Sequence, residues 1–170
     1  GLEAAASLRK AGKAVHVVEF APRLLARVAS PLLSDYCAAL HRSAGVTVST
    51  GAACDEILTD DTGTVRGVRL TNGIDPECQL VLAGIGVIPD AGLAAAAGLA
   101  VDNGIIVSHT YRTDDDAIWA IGDVARAQSR YELRIESIHH AQTSSQIAAA
   151  DIMGGELPSN EGFWFWSDQY

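Results

Sequence analysis

One stretch of the sequence decides the fold class, Val15-His16-Val17-Val18-Glu19, a short β-branched run that ends in an acid. Its composition is typical of a strand that is buried on both faces, and such strands belong to parallel sheets. The stretch follows a segment of helix formers at residues 2–11, which Gly12 ends. A helix followed by a buried strand predicts an α/β fold with a parallel sheet.

The alternation of helix and strand continues toward the C-terminus. Ser30 and Pro31 have the residue types of a helix N-cap and a first helical position, and this helix is predicted to end near Ala44. A strand is predicted next, at Val46–Ser49. Farther along the chain we expect a short helix at 93–97, strands at 105–107 and 117–121, and a long helix at 137–153.

Three consecutive strands interrupt this alternation, at 54–59, 65–70 and 79–83. Turns rich in Asp, Asn and Gly separate them, at Asp60–Gly63 and Thr71–Gly73. The sequence therefore predicts an antiparallel β-meander inserted in an α/β fold.

The composition excludes several classes of partner and site. The net charge of −9 argues against nucleic acid and against an anionic membrane, because both attract basic surfaces. No run of about 18 apolar residues indicates a transmembrane helix, so a cytoplasmic location is expected. Cys37, Cys54 and Cys78 are odd in number and widely spaced, which predicts buried or half-buried thiols rather than disulfides or a zinc site.

Gly1 and Glu19 have the spacing of part of a dinucleotide-binding unit. In such a unit a glycine opens the helix whose N-terminus faces a pyrophosphate, and an acid about 20 residues later accepts ribose hydroxyls. The first strand and the earlier glycines of that unit are missing here. Glu19 favours NADH over NADPH, because a carboxylate repels a 2′-phosphate, although Arg23 lies close by. An ordinary helix–strand unit with a solvated Glu19 is the alternative.

Two later glycine motifs each follow a predicted strand. Gly84 and Gly86 come after the strand at 79–83, where glycine lets backbone approach a flat ring or a phosphate. Gly122 and Asp123 follow the strand at 117–121, where Asp123 can accept a hydrogen bond from a sugar hydroxyl beside a helix N-terminus. A plain turn is the alternative at both places.

No catalytic or metal-binding constellation is predicted. His139 and His140 are adjacent, so they cannot share a helix face as paired ligands, and we expect them to face solvent or cap a helix. The aromatic stretch Trp164-Phe165-Trp166 is expected to form core, unless it packs on a bound ring.

Five motifs in register resemble the ferredoxin and rubredoxin reductases, a family that includes the reductases of aromatic-ring dioxygenases and bacterial cytochrome P450 systems. The resemblance covers essentially the whole chain, and its last motif separates this family from the disulfide reductases. The motifs are Gly1–Ala6, Val17–Glu19 with Pro22–Arg27, Gly84–Pro89, Ile118–Asp123, and Glu136–Ile138 with Trp164–Tyr170.

The resemblance implies that the chain binds NAD and FAD. On the NAD side it implies Gly1, Glu19 and Arg23, with Glu3, Gly84 and Gly86 near the nicotinamide. On the FAD side it implies Gly122 and Asp123 at the ribityl chain, backbone of Ser137 and Ile138 at the isoalloxazine, and Trp166 as a shield.

The implied fold is a Rossmann-like NAD(P)-binding domain with an inserted antiparallel β-meander, plus part of a second, FAD-binding α/β domain. The expected domains are 1–100 for NAD, 101–158 for FAD, and 159–170 as the start of an interface domain. The ends read as cut from a longer chain, so the isolated polypeptide is expected to bind FAD poorly, to have little activity, and to form homo-oligomers through open sheet edges.

The implied reaction is hydride transfer from NADH to FAD, followed by electron transfer to a ferredoxin or rubredoxin type iron–sulfur protein. This chemistry requires no side-chain acid, base or nucleophile for the hydride step. Two other functions stay open: an NADH oxidase or nitrite reductase type of flavoprotein, and a non-catalytic nucleotide-binding fragment.

Overall fold

A computed structural model describes residues 1–128, 134–159, 164 and 166–170, and these residues form two compact units. Unit 1 contains Gly1–Ile85 together with Ser167–Tyr170, and unit 2 contains Gly86–Trp166. The domain boundaries expected after residues 100 and 158 remain predictions.

Unit 1 begins with the predicted alternation of helices and strands. Its elements are α1 at Leu2–Lys10, β1 at His16–Glu19, α2 at Pro31–Ser43 and β2 at Thr47–Thr50. The start of α2 is fixed by Ser30, whose hydroxyl oxygen accepts a hydrogen bond from the Leu33 amide at 3.3 Å.

Strand β1, on which the predicted fold class depends, has the predicted parallel partner. β1 and β2 run parallel, and Glu19 lies opposite Thr50 at the carboxyl end of the pair. Burial on both faces is wrong, because Val18 keeps 37% of its surface exposed. Among the described residues this sheet has two strands, so helices do not enclose it on all sides.

The inserted region of unit 1 forms an antiparallel hairpin, β3 at Cys54–Thr59 and β4 at Val65–Leu70. The strand predicted at 79–83 is wrong, since Leu80 and Leu82 are exposed and form no ladder. The segment beside β4 is instead Ile74–Cys78, which exchanges backbone hydrogen bonds with it. Pro76 lies in this segment and has no N–H to donate, so the pairing is limited to one isolated bridge, between Gly67 and Glu77.

Unit 2 contains a short helix, a parallel strand pair and a long helix. Its elements are α3 at Gly92–Ala96, β5 at Ile105–Val107, β6 at Ala125–Ala127 and α4 at Ile138–Met153. β5 and β6 run parallel, and the core around them is Val107, Tyr111, Ala120, Ala125, Ile147 and Ala148.

The strand predicted at 117–121 is wrong. Residues Ile118–Ala120 fold back antiparallel to Tyr111–Thr113, through backbone hydrogen bonds and one bridge between Arg112 and Trp119. The parallel neighbour of β5 is β6, which follows Gly122 and Asp123 rather than preceding them. The physical reason is a reversal at Gly122, whose φ of 68° starts a single 3₁₀ turn at Gly122–Val124.

The described residues contain neither a membrane-spanning helix nor a cluster of metal ligands. Across the described ranges, no helix is long and apolar enough to cross a membrane. In the same residues, no cluster of three His, Cys, Asp or Glu side chains could hold a metal ion. All three cysteines are free, but the expectation of buried or half-buried thiols is wrong for Cys54, because it begins β3, a strand that is mostly exposed.

Candidate functional site

The structure brings Gly1 and Gly84 together in unit 1. Gly1 is the N-cap of α1, and no side chain caps the amides of the first turn. A Cβ built on Gly84 would lie 3.6 Å from the Gly1 nitrogen, so any side chain at position 84 would reach the backbone of this N-cap. A Cβ built on Gly1 would meet no atom within 4 Å among the described residues. The helix N-terminus therefore has uncapped donors and open space beside it, which fits an anionic group such as a pyrophosphate.

Glu19 lies at the carboxyl end of the parallel pair, where ligands of open α/β sheets bind. One carboxylate oxygen, Oε1, accepts a hydrogen bond of 2.9 Å from the Ala21 amide. This contact spans two residues and fixes the direction of the side chain. Glu19 is half-buried, which leaves part of its surface to a ligand.

Arg23 organises the loop that follows Glu19. Its Nη1 donates to the Ala29 carbonyl at 2.8 Å and to Ser34 Oγ at 2.6 Å, and its Nη2 donates to the Ala26 carbonyl at 2.9 Å. These hydrogen bonds hold the guanidinium against its own loop and the first turn of α2. A direct contact of Arg23 with a nucleotide remains a prediction.

Glu3 contacts the last residues of the chain. Its Oε1 accepts hydrogen bonds from the Ser167 hydroxyl at 2.8 Å and from the Asp168 amide at 3.2 Å. This contact is long-range in sequence and was not foreseen from the residue pattern. The predicted position of Glu3 near a nicotinamide stays a prediction.

The loop Gly84–Pro89 carries exposed apolar side chains. Ile85 and Ile88 are 96% and 94% exposed, and Gly86 has a φ of 107°, a conformation that L side chains rarely adopt. A loop with these properties can present backbone and apolar surface to a planar ring.

In unit 2, α4 fixes the turn that carries Gly122. The Gly122 amide donates to Ser144 Oγ at 3.0 Å, and the Ser144 hydroxyl donates to the Ala141 carbonyl at 3.1 Å. Ser144 is completely buried, and no motif in the sequence marks it as a site residue. Ser144 could have been identified by one signal. It is a small hydroxyl residue on the face of α4 that packs on this turn.

Asp123 is exposed beside the start of α4. The helix expected to begin there is only the 3₁₀ turn, so the nearest helix N-terminus is that of α4. The Asp123 carbonyl accepts a 2.8 Å hydrogen bond from Arg134 Nη1, which anchors the backbone and leaves the carboxylate at the surface. An exposed carboxylate at this place fits a sugar-alcohol hydroxyl.

His140 is buried, with 2% of its surface exposed, so the expectation that it faces solvent is wrong. Its ring packs against Tyr111 at a centroid distance of 5.6 Å. Burial lowers the pKa of His140, while a hydrogen bond with the Ile135 backbone and the charge of Asp123 oppose this shift. The neutral form is therefore favoured near Asp123.

Ser137 and Ile138 form the beginning of α4. Ser137 is the N-cap, and its hydroxyl oxygen accepts a hydrogen bond from the His140 amide at 3.1 Å. Ile138 is 59% exposed, so backbone at this helix end is accessible. Their predicted contact with an isoalloxazine is not tested by the structure.

The aromatic residues near the end of unit 2 are not core. Trp164 and Trp166 are 54% and 50% exposed, and their rings lie 5.1 Å apart with an interplanar angle of 34°. Phe165 lies outside the described residues. The core expectation is wrong for both tryptophans, since each presents half its surface to solvent, as a ring that shields a ligand would.

An apolar cavity of about 310 Å³ in unit 2 contains none of the predicted site residues. Its walls include Leu93, Ile105, Ile118 and Trp119. Apart from Asp90 the lining is almost entirely apolar, so this cavity lacks the set of convergent polar groups that would orient a ligand.

Comparison with known proteins identifies the family. The model of the pyridine nucleotide-disulphide oxidoreductases matches residues 1–145. The chain belongs to this family. Curated relatives and a solved structure confirm the resemblance to ferredoxin and rubredoxin reductases and the α/β fold class.

Two curated relatives illustrate the similarity within this family. Putidaredoxin reductase of Pseudomonas putida is 43% identical over 100% of this chain and 41% of its own length. Rubredoxin-NAD(+) reductase of Pseudomonas putida is 37% identical over 99% of this chain and 44% of its own length. The chain thus spans less than half the length of these relatives.

A solved structure of a related reductase complex has the same fold over nearly the whole chain. The covalent putidaredoxin reductase–putidaredoxin complex matches with a TM-score of 0.94 and 39% identity, over 99% of this chain and 42% of that chain. Members of this family use FAD and NAD(H). The uncapped, unobstructed N-terminus of α1 and the exposed Asp123 fit these two cofactors.

Proposed function

We propose that the chain forms part of an FAD-dependent reductase that takes a hydride from NADH and passes electrons to a ferredoxin or rubredoxin type iron–sulfur protein. The observation that carries the proposal is the pair of carboxylates, Glu19 in unit 1 and Asp123 in unit 2, each beside a helix N-terminus or strand end suited to a dinucleotide. The names of the relatives, a putidaredoxin reductase and a rubredoxin-NAD(+) reductase, support the class of acceptor.

NADH binding is assigned to unit 1. The amides of the first turn of α1 would receive the pyrophosphate, and Glu19 would accept hydrogen bonds from ribose hydroxyls. Arg23 is compatible with NADH, because three hydrogen bonds from its guanidinium already go to the Ala26 and Ala29 carbonyls and to Ser34 Oγ, which leaves fewer donors for a 2′-phosphate. Glu3, Gly84 and Gly86 are proposed to lie near the nicotinamide.

FAD binding is assigned in part to unit 2. Asp123 would hold the ribityl chain through its carboxylate, and Gly122, held by Ser144, would keep the backbone close. Backbone of Ser137 and Ile138 would face the isoalloxazine, and Trp166 would exclude water from it. Bound FAD supplies a two-electron acceptor that can release electrons singly. The protein's task is to position and shield the rings, so the proposal assigns no side-chain acid or base.

The test uses the longest natural chain that contains these residues, purified with its flavin. We expect Glu19→Ala to raise the Kd for NADH about tenfold or more, and Asp123→Ala to lower the flavin content, because each removes a charge-assisted hydrogen bond. Flavin absorbance and rapid-mixing reduction by NADH measure the two effects. Asp61→Ala, a change in the exposed β3–β4 turn, is the control.

Two results would contradict the proposal. Undiminished NADH affinity in Glu19→Ala would remove the assignment of unit 1, and a full flavin content in Asp123→Ala would remove that of unit 2. Rapid electron delivery to O₂, with none to a ferredoxin or rubredoxin, would indicate an NADH oxidase instead.

A further inference from the structure

The segment Ser167–Tyr170 contacts both helices of unit 1. It reaches the first turn of α1 at Glu3 and the last turn at Lys10, whose Nζ donates to the Gln169 carbonyl at 2.9 Å. It reaches α2 at His41. A segment of four residues therefore spans α1 from end to end.

His41 anchors this segment in the interior of unit 1. Its side chain is completely buried, its Nε2 lies 2.8 Å from Gln169 Oε1, and its Nδ1 lies 3.1 Å from the Tyr170 hydroxyl. The Tyr170 ring also meets the imidazole edge-to-face at 5.1 Å. Because a buried imidazole needs partners for both nitrogens, loss of the segment would leave His41 unsatisfied. The docked position is therefore part of the folded state of unit 1.

The anchored segment places two donors on one oxygen of Glu3. The Ser167 hydroxyl and the Asp168 amide both reach Oε1, and the Gln169 amide group donates to Ser167 Oγ at 3.1 Å, which fixes the hydroxyl in turn. Two donors on one oxygen hold the carboxylate in a single orientation and leave Oε2 for another donor. Glu3 lies in the first turn of α1, whose N-cap Gly1 lies near Gly84.

We propose that Ser167–Tyr170 is a positioning segment that fixes the Glu3 carboxylate, through Ser167 and the Asp168 amide, for the nicotinamide half of the bound dinucleotide. The ligand part of this inference rests on the proposed function. Ser167 acts through Glu3 and is not itself a ligand of the cofactor.

The experiment compares two ligands in the full-length flavoprotein. NAD⁺ carries the nicotinamide, whereas ADP-ribose has the same pyrophosphate and adenosine without it. We expect Ser167→Ala to weaken NAD⁺ about fivefold in calorimetric titration and to leave ADP-ribose within about twofold. Ser167→Thr keeps the hydroxyl and should restore NAD⁺ affinity. Ser145→Ala, which removes an exposed α4 hydroxyl bonded to its own Gln142 carbonyl, should change neither ligand.

A double-mutant cycle separates positioning from general damage. If Ser167 acts through Glu3, Ser167→Ala should have no further effect on NAD⁺ in a Glu3→Gln background whose ligand affinity is already reduced. Additive effects of the two changes would overturn the proposal, and so would equal weakening of NAD⁺ and ADP-ribose by Ser167→Ala.

A ligand-independent measurement keeps the two proposals distinguishable. The Asp168 amide should exchange with solvent faster in Glu3→Ala and in Tyr170→Phe than in the parent protein, because each change removes a contact of the segment. If the parent protein binds neither NAD⁺ nor ADP-ribose, the proposed function fails. In that case unchanged exchange at Asp168 would overturn the docking of the segment as well.

Discussion

The two units hold their predicted ligand carboxylates in different ways. In unit 1, the Glu19 side chain is fixed by the Ala21 amide, two residues away at the end of β1. In unit 2, Asp123 lies on a turn whose position depends on Ser144 of α4 and on Arg134. The unit 1 site is therefore mostly local in sequence, whereas the unit 2 site depends on long-range contacts. Substitutions far from the site in sequence should therefore damage the unit 2 site more readily than the unit 1 site.

The largest expected effect tests this comparison with two glycines. A Cβ on Gly104 would lie 2.7 Å from the Val124 carbonyl oxygen, at the end of the Asp123 turn, and the φ of 130° is itself unfavourable. We expect Gly104→Ala to lower the free energy of unfolding by about 3 kcal/mol or more and to lower flavin content. Chemical denaturation and flavin absorbance measure the two quantities.

The matched change in unit 1 should separate stability from binding. A Cβ on Gly67 would lie 2.9 Å from the Pro76 carbonyl oxygen, so Gly67→Ala should cost about 2 kcal/mol but leave the Kd for NADH unchanged. Gly98→Ala in unit 2, with a φ of 84° but no atom of the described residues within 4 Å, controls for the backbone strain of Gly104→Ala at about 1 kcal/mol. A Gly67→Ala protein that loses NADH affinity would break the distinction between the units.

The second prediction concerns the hydroxyl that holds the Gly122 amide. Ser144→Ala leaves that amide without its acceptor, so we expect a loss of about 1–3 kcal/mol in unfolding free energy. Flavin affinity, measured by fluorescence titration, should fall with it. Ser145→Ala on the same helix removes a half-buried side chain whose hydroxyl donates to the Gln142 carbonyl, and it should change stability by less than about 0.5 kcal/mol. Equal behaviour of the two variants would show that α4 does not set the turn.

The smallest expected effect is a dependence on pH. Burial lowers the pKa of His140 in unit 2 and of His16 in unit 1 below the ordinary value of 6.5. A lowered histidine pKa means that the unfolded chain binds more protons, so stability is lost as pH falls below 6.5. We expect His140→Gln to flatten the decline more than His16→Gln, because His140 is the more buried, and denaturation at several pH values measures this. A steeper decline in His140→Gln would contradict it.

The sequence was most informative where structure is local. The ranges predicted for β3, β4 and β5 agree with the observed ones, since turn residues and β-branched runs mark them. Residues Ile74–Cys78 pair with β4 in place of the strand predicted at 79–83, and the missing N–H of Pro76 limits that pairing to one bridge. β6 has only an Ala-Arg-Ala pattern, so its pairing with β5 had no sequence signal.

In the candidate site, too, residues set by local structure are easier to predict from the sequence than residues set by long-range contacts. Gly1 and Glu19 are predicted from their spacing, because strand ends and helix starts follow from the local chain, whereas Gly122 and Asp123 are predicted mainly from the family resemblance. All four stay predictions as ligand-binding residues. Ser144 and His41 were not found, since their hydrogen bonds join residues far apart in sequence. The exposure of Trp164 and the burial of His140 were also misjudged, because residue type alone does not determine burial.

By itself, the sequence determined the α/β class, most element bounds and the family, and it predicted the carboxylates of two dinucleotide sites. Those features follow from hydrophobic periodicity, turn chemistry and motif order, which are local properties of the chain. Only the tertiary structure decided which strand pairs with β5, which serine holds Gly122, and that the last four residues fix Glu3. These contacts form when distant segments pack, and the choice among alternative partners depends on the geometry of the whole unit.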